Sequence, residues 1–338
     1  MKKRLIGLTL ALLLCGCGNG GTSNSNSQNT ISFEDVKQQF QENPYIGVSD
    51  LAYKTAEYLD YQVEMFDEYE GTYIVPNGTS YIDGTIEVDI SPETYDDGLD
   101  NTTYYYWEDG IAYEYNFHNE HLFMGIDDGS MSNGYYMNGD LDFENKDNMV
   151  VGHMGNKYEQ FSGEPATDKN EMERNSKLSI SASLSGQISG KMNVLLDNVS
   201  NISCEYGKTD DGKNQIILKP KNLEQYKKDE RAYNEEMGYT DDLDVFVVGG
   251  EDIKLDDCSY ELYEVKLILN DKNVIEKCIF HTKKSYEYDG KTETSDNTVT
   301  TTFSKMEKDS VNTEYIKNFF DMYEKGEISE GDTISFMK

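Results

Sequence analysis

Apolar residues that alternate with polar ones up to a tight turn, and then return, constrain this chain more than any other feature of it. Tyr263, Val265, Leu267 and Leu269 alternate with polar neighbours, run into Asn270-Asp271-Lys272-Asn273, and come back as Val274 to His281. A period of two puts the apolar set on one face of a strand, so this is a hairpin with one face in a core. Ile202, Cys204 and Tyr206 lead in the same way through Asp210-Asp211-Gly212 into Gln215 to Leu218. Tyr104 to Trp107 and Ile111 to Phe117 flank Glu108-Asp109-Gly110, whose Asp-Gly pair suits the positive φ angles of a two-residue hairpin turn. Further short strands are predicted at Leu59 to Met65, Ile86 to Ile90, His121 to Ile126, Tyr135 to Met137, Met149 to Val151 and Val299 to Phe303. The 26 Tyr and 13 Phe agree with sheet, where aromatic side chains pack well.

Helical spacing appears between these strands. Ser32 with Asp35, then Phe33, Val36 and Phe40, predict a short capped helix ending at Asn43-Pro44, and a second helix is predicted from near Ser49-Asp50. Leu184, Ile188, Met192 and Leu196 recur every four residues and form one apolar stripe. Asn222 to Met237 is a charged helix with Leu223, Tyr226 and Tyr233 inward, and Ile316, Phe319, Phe320 and Tyr323 share one face of a terminal helix closed by Gly326. The polar stretch from Gly163 to Asn175, with Pro165, is the expected junction within the folded part. The predicted class is α+β with a mainly antiparallel sheet.

The chain opens with Lys2, Lys3 and Arg4, followed by an apolar run from Leu5 to Leu14, the order of a secretory signal. A helix of ten residues reaches only about 15 Å, half of a bilayer core, so the run is a targeting segment and not a span. Leu14-Cys15-Gly16-Cys17 resembles the lipobox of bacterial lipoproteins, with Gly16 as the small residue before the cut and Leu14 three places ahead of Cys17. The resemblance implies a signal peptide over residues 1–16 and a diacylglycerol and palmitate anchor on Cys17. The protein would then be held at the extracytoplasmic face of the cell membrane. Residues 18–30 carry no apolar side chain and are expected to be a flexible tether, making 17–30 the anchored linker and 31–338 the folded part. The spacer, and the lack of an aspartate after Cys17, look like lipoproteins of single-membrane bacteria.

With the three basic residues of the leader removed, 27 Lys and Arg face 64 Asp and Glu, a charge of −37. Nucleic acid is excluded as a partner, since binding it needs phosphate neutralisation, and general attraction to anionic lipids or wall polymers is excluded on the same ground. Cys204, Cys258 and Cys278 allow at most one disulfide. If residues 270 and 273 face each other, Cys278 lies opposite Val265. Cys258 is then about seven residues out of register, far outside the ~6 Å Cα reach of a bridge. Pairing of Cys204 with either remains open on this register, and three reduced, buried thiols are expected. His118 and His121 flank Asn119-Glu120 in a predicted β hairpin, which is not the helical H-E-x-x-H of zinc sites, and His153 has no nucleophile pattern around it. Asp96-Asp97-Gly98, Asp127-Asp128-Gly129 and Asp140 with Asp142 and Glu144 lack calcium-loop spacing and read as turns. G-x-S-x-G is absent. No catalytic residue, metal or cofactor is assigned.

The second half, with its amphipathic helix from Leu184 to Leu196, hairpin at Asp211-Gly212, charged helix, and Val265-Lys266-Leu267-Ile268-Leu269-Asn270-Asp271-Lys272-Asn273-Val274-Ile275, is similar to the LolA/LppX-like lipoprotein superfamily. The resemblance implies a curved sheet, an open half-barrel, with helices covering its concave face, and a cavity for an acyl chain or another hydrophobic small molecule. The expected function is that of a non-enzymatic, membrane-anchored binder of such a ligand. The alternative is a cell-surface interaction or scaffold protein that meets wall glycan or another envelope protein.

Overall fold

The computed structural model describes residues 32–82, 85–95, 101–118, 121–127, 129, 134–141, 148–154, 168–237, 246–248, 251–253, 258–288, 291–307, 310–329 and 331–335. The signal peptide, Cys17, the tether, Asp96-Asp97-Gly98, Asp142 with Glu144, and the 163–167 part of the expected junction lie outside these residues.

Helix α1 (Phe33–Glu42) starts where expected, with the Asp35 N–H donating to Ser32 Oγ at 3.1 Å. Helix α2 (Pro44–Tyr58) begins at Pro44, not near Ser49-Asp50. Asn43 ends one helix and caps the next, its Oδ1 accepting from the Tyr45 N–H at 3.0 Å. Pro44 suits the first helical position, where its missing N–H costs nothing. The alternation expected from Leu59 is likewise shifted. Tyr58 is the last helical residue, Asp60 and Tyr61 turn through φ of 55° and 56°, and strand β1 (Gln62–Ile82) begins after them.

The following elements are β2 (Thr85–Tyr95), β3 (Asn101–Glu108), β4 (Ile111–His118), β5 (His121–Asp127), β6 (Gly134–Leu141), β7 (Asn148–Met154), α3 (Lys169–Gly190), α4 (Asn193–Asp197), β8 (Ile202–Lys208) and β9 (Asn214–Pro220). Then come α5 (Leu223–Met237), β10 (Phe246–Val248), β11 (Glu251–Ile253), β12 (Cys258–Leu269), β13 (Ile275–Tyr288), β14 (Lys291–Lys305), α6 (Thr313–Glu324) and β15 (Thr333–Ser335). The protein is α+β. One antiparallel sheet of 13 strands runs β15-β7-β6-β5-β4-β3-β1-β14-β13-β12-β9-β8, with β2 on β1, and β10 and β11 pair apart from it.

β1 joins the two halves of the chain. One of its edges pairs with β14 from Val63 to Gly71, while the other pairs with β3 and then, farther out, with β2. The sheet is therefore continuous across the expected junction, and residues 169–175 of that stretch are already helix α3, capped by Asp168.

The β12–β13 register corrects the expected pairing: Cys278 lies opposite Leu267, and Val265 opposite Phe280. The reason is the turn, in which the Asn270 N–H donates to the Val274 carbonyl and Asn273 takes φ 57°, so the loop holds one residue more, and an irregularity at Ile268/Leu269 adds another. A shift of two keeps each side chain on its predicted face. Cys258 sits opposite Tyr286, and none of the three cysteines is in a disulfide. Cys258 and Cys278 are buried, but Cys204 is only half-buried, at the outer strand β8.

One face of the sheet is covered by α1 to α5. Val265, Leu267, Leu269, Leu184, Ile188 and Met192 are each at most 1% exposed and belong to one packed cluster with Val36, Phe40 and Leu51. The expected stripe from Leu184 to Leu196 does pack on these strands, though the helix breaks after Gly190 and resumes as α4. A polar island lies within this face: Lys191 Nζ reaches Asp67 Oδ1 at 2.6 Å and Thr301 Oγ1 at 2.8 Å. Tyr263 closes it by donating to the Lys191 carbonyl at 3.2 Å.

The opposite face carries a second, smaller core. Tyr106 and Tyr113 stack with ring centroids 4.8 Å apart, and Ile316, Phe319 and Phe320 of α6 pack with them and Met124. The terminal helix docks on the sheet as predicted, with Gly326 at φ 69° closing it.

Candidate functional site

The candidate site forms where the β3–β4 turn meets the end of α2 and the start of α3. Glu108 pairs with Ile111, leaving Asp109 and Gly110 as the turn, with φ of 51° and 90°. Positive φ at both central residues is the twist-matched hairpin turn, and Gly110 supplies it without steric cost. Trp107, the only tryptophan in the chain, lies just before this turn, on the face covered by helices. Its Nε1 donates to Ser176 Oγ at 2.9 Å, which ties the ring to α3.

The first turns of α3 are fixed from the other side by Gly129. Its N–H donates to Asp127 Oδ1 at 2.8 Å, and its carbonyl accepts from Asn175 Nδ2 at 3.3 Å. A Cβ on Gly129 would lie 1.9 Å from the Met172 carbonyl oxygen, so only glycine allows this approach. Asp127 and Gly129 are thus joined by the side-chain bond of a turn, as the composition suggests, while Asp128 between them lies outside the described residues.

Two solvent-open grooves, of about 580 and 590 Å³, flank Trp107. Ile111 and Met172 line the first, together with Lys169 and Glu173. The second is acidic, with Glu57, Asp60, Glu108 and Asp109 around Tyr61 and Lys177. Lys177 stands at the centre: its ammonium lies 4.1 Å from the Trp107 ring centroid, 5.6 Å from that of Tyr61, and 2.9 Å from Glu173 Oε1. A cation over two electron-rich ring faces beside a carboxylate is a favourable arrangement. Burial, and then the charge of Glu57, push the Tyr61 hydroxyl above its usual range, so it stays a neutral hydrogen-bonding group. Asp60 pairs with Lys305.

Backbone strain collects at the same place. The described non-glycine residues with positive φ are Asp60, Tyr61, Asp109 and Asn273, and the first three line the acidic groove. Such conformations cost about 1–3 kcal/mol each and persist only where the surroundings hold them. Here the Tyr61 N–H donates to the Ala56 carbonyl at 2.8 Å and the Tyr61 carbonyl accepts from the Trp107 N–H at 2.9 Å.

Beyond the grooves, Glu114 stands out on the helix-covered face opposite Tyr105. Burial drives its carboxyl up to about 7, against the opposing effect of the Tyr105 hydroxyl. Burial likewise raises the thiol of Cys278, to about 12, and that of Cys204. These thiols are poor nucleophiles at neutral pH.

His118 ends β4 and pairs in register with His121 at the start of β5, consistent with the expected hairpin, and His153 lies within β7. Asp140 lies in β6, paired with His121. Among the described residues no three His, Cys, Asp or Glu gather to hold a metal ion, and no helix is long and apolar enough to cross a membrane.

Nothing in the sequence pattern singled out Trp107, Tyr61, Lys177 or Glu57 as a group. Two signals were present, the lone tryptophan and the Asp-Gly turn beside it. Their meeting with the start of α3, some 60 residues on, depends on the tertiary fold. No family model, curated protein or solved structure matches the chain.

Proposed function

We propose that the protein is a lipid-anchored, non-catalytic surface-interaction protein, attached at the extracytoplasmic face of the cell membrane through Cys17. Its recognition surface is the Trp107 groove, and its partner is another component of the envelope. The observation that carries this reading is the contrast between the two places where a ligand might sit. The helix-covered face, where a half-barrel carrier would take an acyl chain, is packed with buried side chains, Leu184, Met192, Val265, Leu267 and Leu269 among them fully so. The grooves beside Trp107 are open and combine aromatic, apolar and charged groups. A few convergent polar groups beside an aromatic surface in a concave site are what specific recognition requires. The leader and lipobox supply the location, and the polar tether would hold the folded part clear of the lipid.

The test is co-sedimentation of the detergent-solubilised protein with isolated envelope material, comparing wild type with Trp107→Ala. Saturable binding that falls at least tenfold in the variant, with circular dichroism unchanged, is the expected result. Equal binding by the variant would place recognition elsewhere. Labelled palmitate should enter the wild type and not Cys17→Ala, and incorporation in both would contradict the assigned anchor.

A further inference from the structure

We infer that the Trp107 groove takes a basic, amphipathic segment of a partner protein, and that Lys177 occupies the cation position in the free protein. The inference rests on the surface-interaction reading and names the partner's chemistry.

The first observation is Lys177 itself. Its ammonium is held by Trp107, Tyr61 and Glu173 at 4.1, 5.6 and 2.9 Å, the arrangement with which an aromatic cage holds a cationic ligand. The site therefore binds an ammonium already, one supplied in cis by α3. The side chain keeps 29% of its surface exposed, so the occupant is at the mouth of the groove and can be exchanged for another.

The second observation is charge. Glu57, Asp60, Glu108, Asp109 and Glu173 line the two grooves against Lys169 and Lys177. Asp60 is engaged by Lys305, and Glu108 and Asp109 feel Lys317 of α6 from the other face of the sheet. Glu57 has no ion pair among the described residues. A neutral glycan gains little from such an excess of carboxylate, and an anionic polymer is repelled, whereas Lys or Arg gains attraction and faster encounter. The third is the apolar lining of Ile111 and Met172 in the neighbouring groove, which shares Trp107 and suits an apolar residue next to the cation. A basic peptide with interleaved apolar residues matches the two grooves that share Trp107.

Because Trp107 is the only tryptophan, its fluorescence reports on this site alone. The full-length protein in detergent is titrated with a short synthetic peptide of alternating lysine and leucine, and separately with soluble wall glycan fragments. The peptide is expected to shift the emission saturably, and more weakly as salt rises. Glu57→Gln and Asp109→Asn should each weaken binding about threefold, the size of a partly exposed charge contact. Glu287→Gln, exposed near the far end of β13 from the groove, should leave it unchanged, which separates the groove from general attraction to an acidic chain.

Lys177 supplies the opposing sign. Lys177→Gln vacates the cation position and should tighten peptide binding about threefold or more, while Lys177→Arg should stay near wild type. No shift with the peptide, or weaker binding by Lys177→Gln with circular dichroism unchanged, overturns the inference. A shift with glycan alone also overturns it, and leaves the surface-interaction reading standing with a sugar as partner. If peptide, glycan and envelope material all leave the tryptophan signal unmoved, both readings fall.

Discussion

The two faces of the sheet are built from the same strands and put to different uses. One is covered by α1 to α5 and filled by aliphatic and aromatic side chains around the buried Lys191–Asp67 ion pair. The other carries α6 over stacked tyrosines at β3 and β4. Farther along, over β12, β13 and β14, it presents threonines and paired charges such as Lys266 with Glu264 at 2.7 Å. The difference comes from the sequence of each strand. β12 alternates, with one break at the irregularity between Tyr260 and Leu262, and buries one face, while β3 reads Tyr104, Tyr105, Tyr106, Trp107, apolar on both sides. A strand apolar on both faces needs cover on both. Trp107 lies at the end of that strand, where cover runs out, and this leaves an aromatic ring beside open grooves.

The strongest challenge to this comparison is Phe319→Ala in α6. Removing the ring should cost about 3–4 kcal/mol, as for an aromatic core residue, measured by denaturant unfolding. A loss under about 1 kcal/mol would make the second face an ornament of the first. Lys191→Met should cost about 3 kcal/mol, because Asp67 would be left charged and buried with Thr301 as its remaining partner. Replacing Asp67 by Asn in the same chain should recover part of that loss, and no recovery would mean that the island does not act as a pair.

Glu114 adds a pH signature to the helix-covered face. Its folded carboxyl holds a proton up to about 7, against 4.5 for the ordinary group, so the folded chain binds more protons between those values. Its contribution to stability is full below pH 4.5 and is lost as pH rises through 7. Glu114→Gln should abolish this term and stabilise the protein at pH 8 by about 2 kcal/mol, allowing for solvent screening of a partly exposed group. Equal pH profiles for wild type and variant would refute the assignment. The smallest effect belongs to the open face, where Lys266→Ala should change stability by less than about 1 kcal/mol.

Much of this architecture is legible in the sequence. Alternation gives the strands, and period-four spacing at Leu184, Ile188, Met192 and Leu196 gives the helix that covers them. The errors fall at boundaries where a local signal outweighs the pattern. Pro44 starts the helix that Ser49-Asp50 signals in the sequence, Leu59 belongs to a helix end, and Asn273 in a left-handed conformation adds a residue to the β12–β13 turn. The register moved by two, so faces survived where partners did not. What no local pattern contains is the order β3-β1-β14, which sets strands some 230 residues apart side by side and carries one sheet across the expected junction. The groove is a product of the same long-range contacts, through α3 meeting β3 at Ser176 and Trp107.

The central claim is that recognition occurs outside the helix-covered face because that face is filled. Native mass spectrometry of the full-length protein, released from detergent after incubation with phospholipids and free fatty acids, tests it most directly. The account predicts a single species with the mass of the chain and its covalent anchor, and no further acyl adduct at low activation energy. A stoichiometric adduct lost only on stronger activation, and abolished by Leu184→Trp, would place a ligand within the core and contradict it.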